Sequence, residues 1–173
     1  MQPRVPPVTD PSELDDEARG LLERMSPGGR VLNVFATLVH HPKLLKRWLV
    51  FGNHILSKST LSARHRELLI LRTAHRCGSV YEWTQHSRIA LAVGLTPQEV
   101  EDVAEDRLAD PFEATLLRAA DELIDDHVVS DATWATLTQR YDVRQMLDAM
   151  FTVGQYAMLA GALNSLGVQV ESP

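Results

Sequence analysis

The segment Ser79-Val80-Tyr81-Glu82-Trp83-Thr84-Gln85-His86 sets a hydroxyl, a carboxylate and an imidazole at spacings of three, four and seven. On a helix of 3.6 residues per turn these three side chains share one face. Glu67 stands twelve residues before Ser79, in another apolar stretch. A hairpin of two helices would bring two acids and a histidine together, a set suited to moving protons.

Each of these residues also has a purely structural reading. Glu67 shares a face with Ile70, Leu71 and Ala74, so it is either a marginal carboxylate paired with Arg64 or Arg66 or an acid drawn into the core. Ser79 and Glu82 form a Ser-x-x-Glu capping box, which alone would explain both. His86 is in register with Ile89, Ala90 and Val93 and is expected to point inward. Asn53 and His54, in the apolar run Leu44 to Leu56, are candidates to line the same cavity. Trp48, Phe51, Tyr81 and Trp83 read first as packing residues. Cys77 falls in the turn before the Ser79 helix and reads as inert, although a helix N-terminus can lower a thiol pKa. Glu82 and His86 at i, i+4, with Glu67, could also make a carboxylate-rich metal site. Nothing in the sequence demands a metal, and no cofactor is expected.

The elements that must position these groups are helical. The pattern predicts an extended arm over residues 1–11 and a single helical domain over 12–173. Helices are expected near 12–25, 30–40, 43–58, 62–76, 80–93, 97–105, 111–127, 131–140 and 143–166. Prolines in the arm remove backbone donors and bias their neighbours away from helix. Thr96-Pro97-Gln98-Glu99 is a capping box with proline at the first helical position, and Gly94 is placed to close the preceding helix. Asp110-Pro111, Ser62 and Ser130 are further helix starts. No segment alternates as a pairing strand would, so the fold class is all-α.

Composition removes several function classes. The 173 residues carry a net charge of −6 with basic residues scattered, against the basic stripe of a nucleic-acid surface. No stretch is apolar enough to span a membrane, and a membrane-surface role is not expected either. The single cysteine forbids an internal disulfide. The first eight residues hold three prolines and no apolar run, unlike a signal peptide. A cytoplasmic location is the expectation. There is no phosphate-cradling glycine loop, zinc-type Cys/His spacing or Gly-x-Ser-x-Gly elbow.

The run Leu61-Ser62-Ala63-Arg64-His65-Arg66-Glu67-Leu68-Leu69-Ile70-Leu71-Arg72-Thr73-Ala74 is followed by Tyr81-Glu82-Trp83-Thr84-Gln85-His86-Ser87-Arg88-Ile89-Ala90 and the Gly94-to-Glu99 turn. Together they resemble the carboxymuconolactone decarboxylase family, whose superfamily also contains the alkylhydroperoxidase AhpD. The resemblance covers about residues 30–166, including the closing stretch Val153 to Asn164. It implies an all-helical protomer with a central helix hairpin, assembling as a homotrimer or hexamer with a pocket between hairpin helices and subunits.

In the peroxidase branch a glutamate, a Cys-x-x-Cys pair and a histidine form a proton relay and redox centre. The glutamate falls on Glu67 and the histidine on His86, while the two cysteine positions fall on Ser79 and Glu82. A dithiol cannot cycle to a disulfide without its sulfurs, and Cys77 lies two residues too early to replace the first. The resemblance therefore implies the non-redox branch: a cofactor-free lyase of aromatic degradation, acting on a small carboxylated lactone or related ring-cleavage product. His86 would be the donor or acid, Glu67 and Glu82 would orient and tune it, and Ser79 or Tyr81 would bind substrate. A metal-dependent enzyme and a non-catalytic helical oligomer are the competing classes, since fold does not fix function.

Overall fold

The protein is described by a computed structural model covering residues 2–26 and 29–171. The described residues form a 3-10 turn at Pro11–Glu13 and nine α-helices. These are α1 (Asp16–Arg24), α2 (Asn33–Leu38), α3 (Pro42–Ser57), α4 (Ala63–Arg76), α5 (Val80–Ala92), α6 (Pro97–Glu105), α7 (Pro111–Asp125), α8 (Asp131–Leu137) and α9 (Val143–Leu166). The class is all-α, with no strand among the described residues.

The centre of the fold is α4, in which every residue from Glu67 to Ala74 is buried. A helix apolar on one stripe lies on a surface, whereas one covered all round sits inside and must satisfy its own polar groups there. One side of α4 sends Leu69 into a core with Phe112, Leu116, Leu137, Met146 and Val153 from α7, α8 and α9. Leu68 and Leu71 pack with Ala90, Val100, Val103 and Leu117 from α5, α6 and α7. Ile70 meets Ile55 of α3 and Tyr156 of α9. The hairpin α4–α5 is thus held on every side, which fixes Glu67 against His86.

Most predicted helix starts are capped as the sequence indicates. Ser62 and Ser130 accept the amides of His65 and Thr133, and Asp110 accepts those of Phe112 and Glu113. Thr96 and Glu99 form the complete capping box, and Gly94 follows α5 at φ 100°. The first helix starts later than expected. Asp10 caps the short 3-10 turn, Leu14 is extended, and Asp15 caps α1 through the Ala18 amide. Two competing aspartate caps split the predicted helix. At the other end of α7, His127 takes φ 62°, which ends the helical run at Asp125.

The N-terminal arm lies along its own chain. Arg4 and Val5 donate to Leu166 O, and Val8 donates to Ala36 O. Gly167, at φ 71°, closes α9 beneath this arm, and a Cβ there would sit 3.2–3.3 Å from Gln2 O, Arg4 N and Pro3 Cα. Glycine is therefore needed for both its conformation and its bareness. Along α9, Val143, Leu147, Phe151 and Met158 are exposed, forming with Gly154 and Gly161 one apolar row.

Candidate functional site

Three helices meet around His86. Its Nδ1 lies 2.7 Å from Glu67 Oε2, and its Nε2 lies 3.6 Å from Glu82 Oε2. Glu67 is fully buried and its second oxygen accepts from Arg66 Nε at 3.1 Å. With the Glu67 carboxylate accepting, Nδ1 carries the proton and Nε2 is turned to the other side, the same division of labour by which a carboxylate orients a catalytic imidazole. The Tyr156 ring stands edge-on to the imidazole at 4.8 Å between centroids. Residues from α4, α5 and α9 therefore fix the ring in position and tilt.

Glu82 differs from the sequence expectation in an instructive way. Ser79 accepts the Glu82 amide at 3.4 Å, but the Glu82 carboxylate does not return the bond, because the Ser79 amide is already given to Ala74 O at 2.9 Å. Only half of the capping box forms. The freed carboxylate turns beside His86, where burial pushes it up to about 6 against the pull of the imidazole. Burial and the neighbouring Glu82 and Glu67 also push the Tyr156 phenol well above its ordinary value, so it stays protonated and can donate.

Glu82, His86 and Tyr156 form the floor of a cavity of about 540 Å³. Its walls are largely apolar, with Leu32, Val34, Phe35, Trp48 and Leu159, and its rim includes Asn53, Leu56, Arg88 and Ile89. This is the size and lining expected of a small-molecule site. Tyr81 contributes its ring to the wall, while its hydroxyl is spent on Glu171 (2.7 Å) and the Val34 amide (3.2 Å). Glu171 also accepts from Gln85, so the C-terminal segment ties down two residues of the cavity lining, Tyr81 and Gln85.

Two expected substrate-binding residues lie elsewhere. Ser79 is buried as the α5 cap and does not line this cavity. His54 points away from it and meets Asp148 Oδ1 at 3.0 Å, because adjacent helical residues are rotated by about 100° and only Asn53 faces inward. Cys77 is the C-cap of α4, outside the cavity lining, and burial pushes its thiol up. That is the reverse of an activated nucleophile. Among the described residues no group of three or more His, Cys, Asp or Glu side chains is arranged to hold a metal ion. Glu67 and Glu82 approach opposite nitrogens of His86 rather than converging on one point. Trp48, read from the sequence as a packing residue, lines the cavity, as do Gln155 and Tyr156, which were not singled out from the sequence. For the last two, the available signal was a polar pair in the otherwise apolar stretch of α9.

The helical arrangement is an AhpD-like all-α fold, as comparison with solved structures shows. The chain is similar to an uncharacterized peroxidase-related protein from Ralstonia eutropha JMP134, described as an alkylhydroperoxidase AhpD core. That likeness has a TM-score of 0.85 at 20% identity, covering 99% of this chain and 95% of the other. A peroxidase-related protein from Silicibacter sp. TM1040 gives 0.83 at 18%, with 99% and 95% covered. The debrominase Bmp8, as a variant in complex with 2,3,4-tribromopyrrole, gives 0.78 at 15%, with 99% and 94% covered. No curated protein sequence matches the chain. Residues 42–124 match the sequence profile of the carboxymuconolactone decarboxylase family. That match spans just under half of the chain, and the likeness to the AhpD-like structures is one of fold. Among the described residues no helix is long and apolar enough to cross a membrane.

Proposed function

We propose that the protein is a cofactor-free lyase that decarboxylates a small carboxylated lactone or related ring-cleavage product by general acid–base chemistry. The observation that carries this reading is the 2.7 Å Glu67–His86 contact, which leaves Nε2 beside Glu82 at the floor of a ligand-sized cavity. Decarboxylation breaks one C–C bond and releases carbon dioxide, and the electron pair passes into the conjugated carbonyl as an enolate. A proton delivered to carbon then completes a redox-neutral exchange of carboxylate for hydrogen. Glu82, and His86 as the imidazolium with a second proton on Nε2, are the donors within reach, and a carboxyl held at about 6 is well matched to proton transfer near neutrality. The protonated Tyr156 hydroxyl would stabilise the developing enolate charge. Arg88 at the rim supplies a cation for a substrate carboxylate.

A thiol-dependent peroxidase finds less support, since Ser79 and Glu82 stand at the two cysteine positions and Cys77 lies outside the cavity lining. A dry, collapsed hairpin would have favoured a non-catalytic role, and the cavity speaks against that. The exposed row on α9 suits self-association, as a trimer or hexamer of this chain. Light scattering of Phe151→Lys against wild type tests that expectation, with a smaller particle supporting it and an unchanged mass opposing it.

The test of function is a paired assay, carboxymuconolactone decarboxylation beside thiol-dependent reduction of an organic hydroperoxide, each repeated with His86→Ala. Decarboxylation that disappears in the variant supports the reading. Full activity in the variant removes His86 from its role, and peroxide turnover would return Cys77 to consideration.

A further inference from the structure

The floor of the cavity carries the proton-transfer groups, but its wall holds two polar atoms with no partner. Among the described residues, Trp48 Nε1 and Gln155 Oε1 are both buried and neither has a hydrogen-bond partner. Gln155 is only 3% exposed, and both residues line the cavity. A buried donor or acceptor left unsatisfied is costly, and in native proteins such groups are uncommon enough to require a reason. Here one is a donor only and the other an acceptor only.

The two groups are neighbours. They flank Gly52 of α3, whose hypothetical Cβ would lie 3.7 Å from Trp48 Cε2 and Cζ2 and 4.0 Å from Gln155 Nε2. Gly52 is itself part of the lining. A side chain there would touch both the indole edge and the Gln155 amide. This glycine is helical, where alanine is the better helix former, so its bareness serves the cavity rather than the backbone.

We propose that Trp48, Gln155 and Gly52 form a neutral recognition subsite selecting small ring compounds that carry a carbonyl acceptor and an O–H or N–H donor on one side. The carbonyl accepts from the Trp48 indole N–H, and the hydroxyl or ring N–H donates to Gln155 Oε1. The same cavity holds the acid–base groups and, at the rim, Arg88. The occupant is therefore an enolised or hydroxylated cyclic carbonyl compound, held through neutral groups at one edge and through its carboxylate near Arg88. A site built to hydrogen-bond such groups rejects analogues that lack them, because its own buried atoms are then left unpaired. This inference rests on the reading of the cavity as the substrate site.

The experiment is calorimetric titration with 2-quinolone, which has adjacent carbonyl and N–H groups, and with N-methyl-2-quinolone, which lacks the donor. Wild type is expected to bind 2-quinolone at least tenfold more tightly. Gln155→Met, which keeps the approximate shape and removes the acceptor, should bring the two probes within about threefold of one another, while Trp48→Phe, which removes the donor to the carbonyl that both probes carry, should weaken both by a similar factor. Gly52→Ala should keep or raise Tm while weakening 2-quinolone at least tenfold. Equal binding of the two probes by wild type, failure of 2-quinolone to bind, a preference that persists in Gln155→Met, or undiminished binding by Trp48→Phe would overturn the subsite. His86→Ala separates this from the catalytic reading. If turnover never appears but the preference survives in His86→Ala, only the lyase assignment fails. If His86-dependent turnover appears without any preference, only the subsite fails.

Discussion

The two sides of α4 bury charge by opposite rules. Toward α6 and α7, every buried charge meets a partner with matched geometry. Arg64 is held by Glu113 at 2.7 and 2.9 Å and by Glu99 at 2.5 Å, which keeps the Glu99 carboxyl down at about 2. Arg72 forks onto Asp121 at 2.8 and 2.6 Å and gives its remaining donor to the Val103 and Ala104 carbonyls at the end of α6. Toward α5 and α9, two carboxylates share one imidazole, Glu82 has no hydrogen bond to it at 3.6 Å, and a cavity opens alongside. Matched pairs hold helices together and leave no group to react. An undersatisfied acid beside an oriented imidazole is what proton chemistry requires, and it tends to mark functional sites. The difference teaches that burial of charge on α4 does not by itself identify the site; incomplete compensation facing a cavity does.

The contrast is broken most forcefully at His86. His86→Ala should lower kcat for the proposed decarboxylation by roughly 10²–10⁴-fold, the usual worth of a positioned acid or base. Stability should change less than activity, since the ring gives up one edge-on contact and one hydrogen bond while Arg66 still pairs the Glu67 carboxylate. Steady-state kinetics together with thermal unfolding separates the two effects.

On the matched side the ranking should reverse. Arg72→Met keeps the aliphatic packing but strands Asp121 and two α6 carbonyls, at a cost of about 3 kcal/mol. Chemical denaturation would measure that loss, while kcat per folded molecule should stay near wild type. A loss of kcat without a loss of stability would mean that the two sides are not separable in this way.

Much of this arrangement is legible along the chain. Glu67, Glu82 and His86 come together because helical register puts each inward and a short hairpin joins their helices, so local spacing carries the information. The caps at Ser62, Thr96, Asp110 and Ser130 are legible for the same reason. The cavity wall is not. Trp48, Gln155 and Tyr156 come from α3 and α9, far from the hairpin in sequence, and only tertiary packing brings them to the cavity that holds His86. Asn53 and His54 look like one unit in the sequence but diverge by a helical step. Ser79 and Glu82 follow the capping pattern, yet the Ala74 carbonyl takes the amide that Glu82 would have reached.

Glu82 offers a smaller but sharper test of undercompensation. Burial raises it to about 6 from 4.5, so folding favours the protonated acid. Its contribution to stability is complete below the unfolded value near 4.5 and is lost as pH rises through about 6. The loss amounts to about 2 kcal/mol, at 1.36 kcal/mol per unit. Glu82→Gln cannot ionise, so it should match wild type near pH 4.5 and exceed it at pH 8. Denaturation at the two pH values that gave parallel curves would show Glu82 to be compensated after all, and would move the site closer to the matched side.

The smallest effect concerns Ser79, which occupies the boundary between these rules. Its hydroxyl accepts the Glu82 amide at 3.4 Å, a long contact, and the reciprocal half of the box is absent. Ser79→Ala should therefore cost only about 0.5 kcal/mol, at the low end for a helix cap. That is a Tm shift of about 1–2 °C for a chain of this length. Because the hydroxyl is buried as a cap and does not line the cavity, KM and kcat should both be unchanged. A raised KM with unaltered Tm would give Ser79 the substrate contact that its position in the sequence suggests. It would also mean that the start of α5 moves when the cavity fills, carrying Glu82 with it.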